Sequence, residues 1–138
     1  MAGESDAPKA ELKRALSEAL AQSFGAGFDV LEVGSVEAAR NLLSAHAVDL
    51  LLLDYYLQGV DGALSLTLLR TDFPSVPILV VSAIAEPLLV RQAMELGASG
   101  FLPKSAPFSA IGDAVNAVLA GDLWFPESLA RNAEAGER

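Results

Sequence analysis

Six consecutive positions, Val48-Asp49-Leu50-Leu51-Leu52-Leu53, are apolar except for one and run straight into a carboxylate, Asp54. A run this short cannot cross a membrane, which takes roughly 18 or more apolar residues. Its lack of alternation instead marks a strand buried on both faces, the usual condition in a parallel sheet. Such a sheet presents a terminal carboxylate at its carboxyl edge, where ligands bind in open α/β folds. Two later apolar stretches end in the same manner: Ile78-Leu79-Val80-Val81 runs into Ser82, and Gly100-Phe101-Leu102-Pro103 runs into Lys104. A carboxylate, a hydroxyl and an ammonium at three strand ends form a set suited to handling a phosphoryl group.

Helical patterns separate these strands. Leu12, Leu16 and Leu20 recur every four residues and predict an amphipathic helix from about Pro8 to Ser23, with Pro8 in its first turn. Phe28-Asp29-Val30-Leu31-Glu32-Val33 alternates like a strand with one wet face. Ser35 is suited to cap the next helix, which runs through Ala38, Ala39, Leu42 and Leu43, and Glu37 favours its dipole. After Gly62 a helix carries Leu64, Leu66, Leu68 and Leu69, and Pro74 and Pro77 punctuate the chain before the second buried strand. A helix from about Pro87 to Leu96 ends at Gly97, and the last, from about Ser109 to Ala120, ends at Gly121. Alternating strand and helix predict an α/β fold: a doubly wound parallel sheet flanked by helices. The expected organisation is a disordered or degenerate segment over 1–7, one domain over 8–121, and a linker or tail over 122–138. Trp124 and Phe125 are expected to pack the end of the last helix, and His46 to lie on the surface.

Composition narrows the function. The 138 residues suffice for one domain with a real core, and the absence of cysteine removes disulfides and thiolate chemistry. The net charge of −9 argues against this segment gripping nucleic acid by itself, because phosphate contacts need clustered Lys and Arg. It suits a basic partner, or a small anion drawn to a local cation such as Lys104. The first residues carry no basic region followed by an apolar one, so neither a signal peptide nor a membrane association is expected, and a cytoplasmic location is.

From Phe28 to Pro126 the chain resembles the receiver domain of two-component response regulators, which has the CheY-like, flavodoxin-like fold. Asp54, with Leu57 three residues on and Gly62 eight on, looks like the phosphoacceptor loop. Ser82-Ala83 looks like the hydroxyl site, Lys104 follows at the family's usual interval, and Phe101 falls where receivers carry an aromatic switch residue. The stretch from Gly97 to Ser105 is especially close to receivers of LuxR/NarL-type regulators. The resemblance implies that Asp54 accepts a phosphoryl group from a histidine kinase or phosphotransfer protein. Lys104 and Ser82 would contact phosphoryl oxygens, and Phe101 would turn into the space Ser82 vacates. It further implies Mg²⁺ held by Asp54, by the backbone carbonyl of Tyr56 and by an acidic pair, and a surface that switches in favour of a homodimer. It implies a signalling protein and not an enzyme.

The chain also departs from that pattern. Receivers open with a buried strand ending in two acidic residues, whereas residues 1–7 contain no apolar run. If Ser5-Asp6-Ala7-Pro8 stands in that place, Asp6 alone remains of the pair. Aligning on the Leu12/Leu16/Leu20 face leaves no acid there. Either the strand's place is filled by another segment or another copy, or the sheet is natively four-stranded. Mg²⁺ should then bind weakly or not at all, since few protein ligands hold that ion. Gln58 stands where receivers usually have proline. The resemblance implies that the bulky ring of Tyr56 lies over the site, where it would slow water's access to an acyl phosphate. The alternative function is a pseudo-receiver that docks or dimerises without phosphorylation. A haloacid dehalogenase-type enzyme would need an aspartate where Tyr56 stands, and a cobalamin-binding loop would need a histidine there.

Overall fold

A computed structural model of the chain describes residues 35–55, 62–84 and 86–126. The Pro8–Ser23 helix, the Phe28–Val33 strand, Asp6 and Tyr56 lie outside these residues, and so does the question of a first strand. In chain order the elements are α1 (Val36–Ala45), β1 (Leu51–Asp54), α2 (Gly62–Asp72), β2 (Ile78–Ser82), α3 (Pro87–Glu95), β3 (Gly100–Pro103) and α4 (Phe108–Leu119).

Among the described residues the three strands form one parallel sheet in the order β1-β2-β3, each crossover made by a helix. The register sets Asp54 opposite Val81 and Ser82 opposite Pro103, so the strands end nearly level. β2 is the middle strand and is buried along its whole length, as its unbroken apolar sequence requires.

Residues alternate between the two faces of the sheet, each covered by helices. Leu53, Tyr55, Ile78, Val80 and Phe101 share a core with Ala39 and Leu43 of α1, Leu66 and Leu69 of α2, and Val90 and Ala93 of α3. Leu79, Val81 and Leu102 point the other way and meet the α4 stripe Ile111, Ala114, Val115 and Val118. That stripe has the three-and-four spacing of one helix face. The result is the doubly wound α/β architecture that the strand and helix alternation predicts.

The helix ends follow the sequence signals closely. Ser35 caps α1 by accepting a hydrogen bond from the Ala38 amide at 3.1 Å. Gly97 and Gly121, just past α3 and α4, have φ of +97° and +92°, where a side chain would be strained. Arg70 secures the α2 exit by donating to the Val76 carbonyl at 3.0 Å, and its side chain packs against Gly97.

Two features add to the sequence-based expectation. On α2, Leu66 and Leu69 are buried while Leu64 and Leu68 are 53% and 37% exposed, so the helix uses only part of its leucine-rich surface. Trp124 does pack against the α4-side core, but its backbone also adds beside β3. Its N–H donates to Ser99 at 3.0 Å, and its carbonyl accepts from Phe101 at 3.1 Å. Gly100 makes this possible, because a Cβ there would lie 2.6 Å from the Trp124 oxygen and 2.8 Å from Leu79.

Candidate functional site

The three strand-end residues singled out in the sequence lie at one edge of the sheet, and backbone hydrogen bonds fix their places. The Tyr55 amide donates to the Val81 carbonyl at 2.9 Å, which extends the β1–β2 ladder past Asp54. On the other side of β2, the Lys104 amide donates to the Ser82 carbonyl at 2.8 Å, which extends the β2–β3 ladder past Pro103. Pro103 has no N–H to offer. Along a parallel strand successive amides face opposite sides, so the missing donor would have pointed with that of Phe101, toward Trp124 and away from β2.

With both backbones held, Lys104 Nζ reaches Asp54 Oδ2 at 2.9 Å. The two side chains keep 27% and 23% of their surface exposed, so the pair is shielded but open to a small solute. It provides a carboxylate oxygen beside a fixed positive charge, the arrangement that neutralises charge on a transferred phosphoryl group.

Ser82 is fully buried, and its hydroxyl is engaged within its own loop. It donates to the Ile84 carbonyl at 2.8 Å and accepts from the Ile84 amide at 3.0 Å. Contact with a group on Asp54 therefore requires the Ser82–Ile84 turn to give up one or both bonds. Phe101, the expected switch residue, is fully buried at the centre of the core that α1, α2 and α3 cover.

Tyr55, the residue after Asp54, carries no motif that marks it in the sequence. The structure makes it one of the largest buried side chains, 2% exposed. Its ring meets Phe101 edge to face, with centroids 6.4 Å apart and planes at 69°. Its hydroxyl donates to Gln92 Oε1 of α3 at 2.6 Å. The adjacency of Tyr55 to Asp54 could have drawn notice; its burial and its distant partner had no local signal.

Of the ligands the resemblance implies for Mg²⁺, Asp54 falls among the described residues, whereas Asp6 and the Tyr56 carbonyl do not. Among the described residues no group of three or more acidic or histidine side chains converges on a point. Also among them, no helix is long and apolar enough to cross a membrane.

Comparisons with known proteins identify the family and agree with the fold. Residues 10–116 match the family described as response regulator receiver domain. The glycerol metabolism activator of Pseudomonas putida is 34% identical over 113 residues, covering 81% of this chain and 51% of that protein. The transcriptional activator ExaE of the same species is 36% identical, over 75% of this chain and 49% of its own length. The chain thus spans about half the length of these curated relatives. Among solved structures, a LuxR family DNA-binding response regulator from Silicibacter pomeroyi is 34% identical with a TM-score of 0.70, covering 86% of this chain and 91% of that one. The NarL signal receiver domain from Mycobacterium tuberculosis matches at 34% identity and a TM-score of 0.70, over 83% and 91% of the respective chains.

Proposed function

Because the chain belongs to the response regulator receiver domain family, close to LuxR/NarL-type members, we propose that it is a signalling switch whose Asp54 accepts a phosphoryl group. The observation that carries this reading is the 2.9 Å contact between Lys104 Nζ and Asp54 Oδ2 across the end of β2. The donor would be a phosphohistidine on a histidine kinase or phosphotransfer protein. An Asp54 carboxylate oxygen attacks phosphorus, the phosphorus–nitrogen bond breaks, and the imidazole leaves with the electron pair and takes up a proton. The product is an acyl phosphate on Asp54. Lys104 would then shift its ammonium from the carboxylate to a phosphoryl oxygen, and Ser82 would exchange an Ile84 bond for another such oxygen.

Mg²⁺ is the cofactor this reading implies. It commonly takes one or two carboxylates and keeps several waters, so Asp54 suits the part of one ligand, and a bound ion would neutralise oxygen charge on the group transferred. Asp6 and the Tyr56 carbonyl are the other proposed ligands.

The charge on Asp54 and the movement of Ser82 would bias the packing around Phe101, and through it a surface that pairs with a second copy. A location in the cytoplasm accords with a kinase as donor. The net charge of −9 supports partners other than nucleic acid for this segment.

Intact mass after incubation with acetyl phosphate tests the reading, with and without Mg²⁺ and against Asp54→Ala. One added phosphoryl group that requires Asp54 is the expected result. No adduct under any condition would overturn it in favour of a docking or dimerisation module that works without phosphorylation.

A further inference from the structure

Tyr55 touches four elements that a phosphoryl group on Asp54 would have to influence. Its backbone continues directly from Asp54 and is held to β2 through Val81. Its backbone and ring lie so close to Gly62, at the start of α2, that a Cβ there would overlap the Tyr55 carbonyl and come 2.7 Å from the ring. The ring edge meets Phe101 of β3, and the hydroxyl is bonded to Gln92 at the middle of α3. A phenylalanine would fill the same space. The hydroxyl adds one directional tie between a residue bonded to the acceptor and a helix 37 positions away. At 2.6 Å between partly buried groups, this tie holds one relative setting of β1 and α3.

We propose that Tyr55 is a positioning residue that couples the state of Asp54 to the setting of α3 through its hydrogen bond to Gln92. The proposal rests on the reading of Asp54 as phosphoacceptor, and it adds a route beside Ser82 and Phe101. A change at Asp54 displaces the start of the loop, moves the Tyr55 ring, and loads or breaks the bond to Gln92. By linkage the effect is reciprocal: loosening α3 alters how well Asp54 holds a phosphoryl group.

Two measurements on the whole chain test this. In the first, the half-life of the Asp54 adduct formed from acetyl phosphate is followed by intact mass in wild type, Tyr55→Phe, Gln92→Met and the double variant. Loss of one such bond should change the half-life about fivefold in each single variant. The double variant should match the singles, because both remove the same bond. Half-lives unchanged from wild type, or effects that multiply in the double variant, overturn the coupling.

The second measurement needs no phosphoryl group. Amide hydrogen exchange over residues 87–95 is compared in wild type, Asp54→Asn, Tyr55→Phe and the Asp54→Asn/Tyr55→Phe pair. The proposal expects Asp54→Asn to alter exchange in α3 when Tyr55 is present and to leave it unaltered when Phe replaces it. The same response in both backgrounds, or none in either, overturns it. If wild type takes up no phosphoryl group, the reading of Asp54 fails, and this second measurement alone decides on the coupling.

Discussion

Asp54 ends β1 and Lys104 directly follows β3, strands with β2 between them, yet their side chains close to 2.9 Å over the end of β2. The contact depends on β2 ending level with its neighbours and on the Lys104 amide bonded to the Ser82 carbonyl. Lys104→Ala should therefore lower the yield of acyl phosphate about tenfold or more, since a fixed charge at the reacting oxygen is lost. Lys104→Arg should restore only part of it, because a planar guanidinium does not replace a point charge in the same space. Intact mass at a fixed acetyl phosphate concentration reads both. An undiminished yield in Lys104→Ala would remove the lysine from the chemistry.

The hydroxyl of Ser82 has a structural duty in addition to the one proposed for it. Ser82→Ala deletes both bonds to Ile84 and leaves a backbone amide to find water in a part-buried turn. The expected cost is about 1 kcal/mol, seen as a lower urea midpoint with an unchanged slope. A variant as stable as wild type would mean that solvent satisfies the Ile84 backbone just as well.

Gly100→Ala tests the pairing of Trp124 with β3. The new methyl group would meet the Trp124 carbonyl and Leu79, so the segment carrying Trp124 must move outward. We expect a loss of about 1–3 kcal/mol from the overpacked contact. The chain has a single tryptophan, so its emission should shift to the red in the folded variant. Emission identical to wild type would show that the contact yields without displacing the segment.

A contrasting case is the Arg40–Asp72 ion pair joining α1 to α2, at 2.8 Å with side chains 50% and 35% exposed. Arg40→Ala should change stability by about 0.5 kcal/mol or less, because water and salt screen such pairs. A loss above about 1 kcal/mol in urea unfolding would show a role for Arg40 beyond this pair.

The sequence revealed those parts of the site that depend on order along the chain. Asp54, Ser82 and Lys104 were legible because each terminates an apolar run, and parallel strands place such termini together. Helix ends at Ser35, Gly97 and Gly121 were legible because capping and positive φ are local demands. What depended on distant partners was not. Gln92 is a polar residue on an exposed helix face until Tyr55, 37 positions earlier, reaches it. On α2, four leucines within six positions leave the buried face undefined by periodicity, and only packing selects Leu66 and Leu69. The apolar run before Ser82 sets it at a strand end, but the turn that occupies its hydroxyl is a matter of tertiary geometry.

Trp124 has a bearing on how the protein survives in a crowded solution. The outer side of β3 carries the Phe101 N–H and the Ser99 carbonyl, and Trp124 engages both. Left open, that row would invite strands of other molecules to add to the sheet, the first step toward aggregation. Because β3 also supports Lys104 and Phe101, intermolecular pairing there would distort the very strand on which the site depends. A few residues after the last helix thus cover this side of β3 and steady the strand that leads into Lys104 through the same two hydrogen bonds.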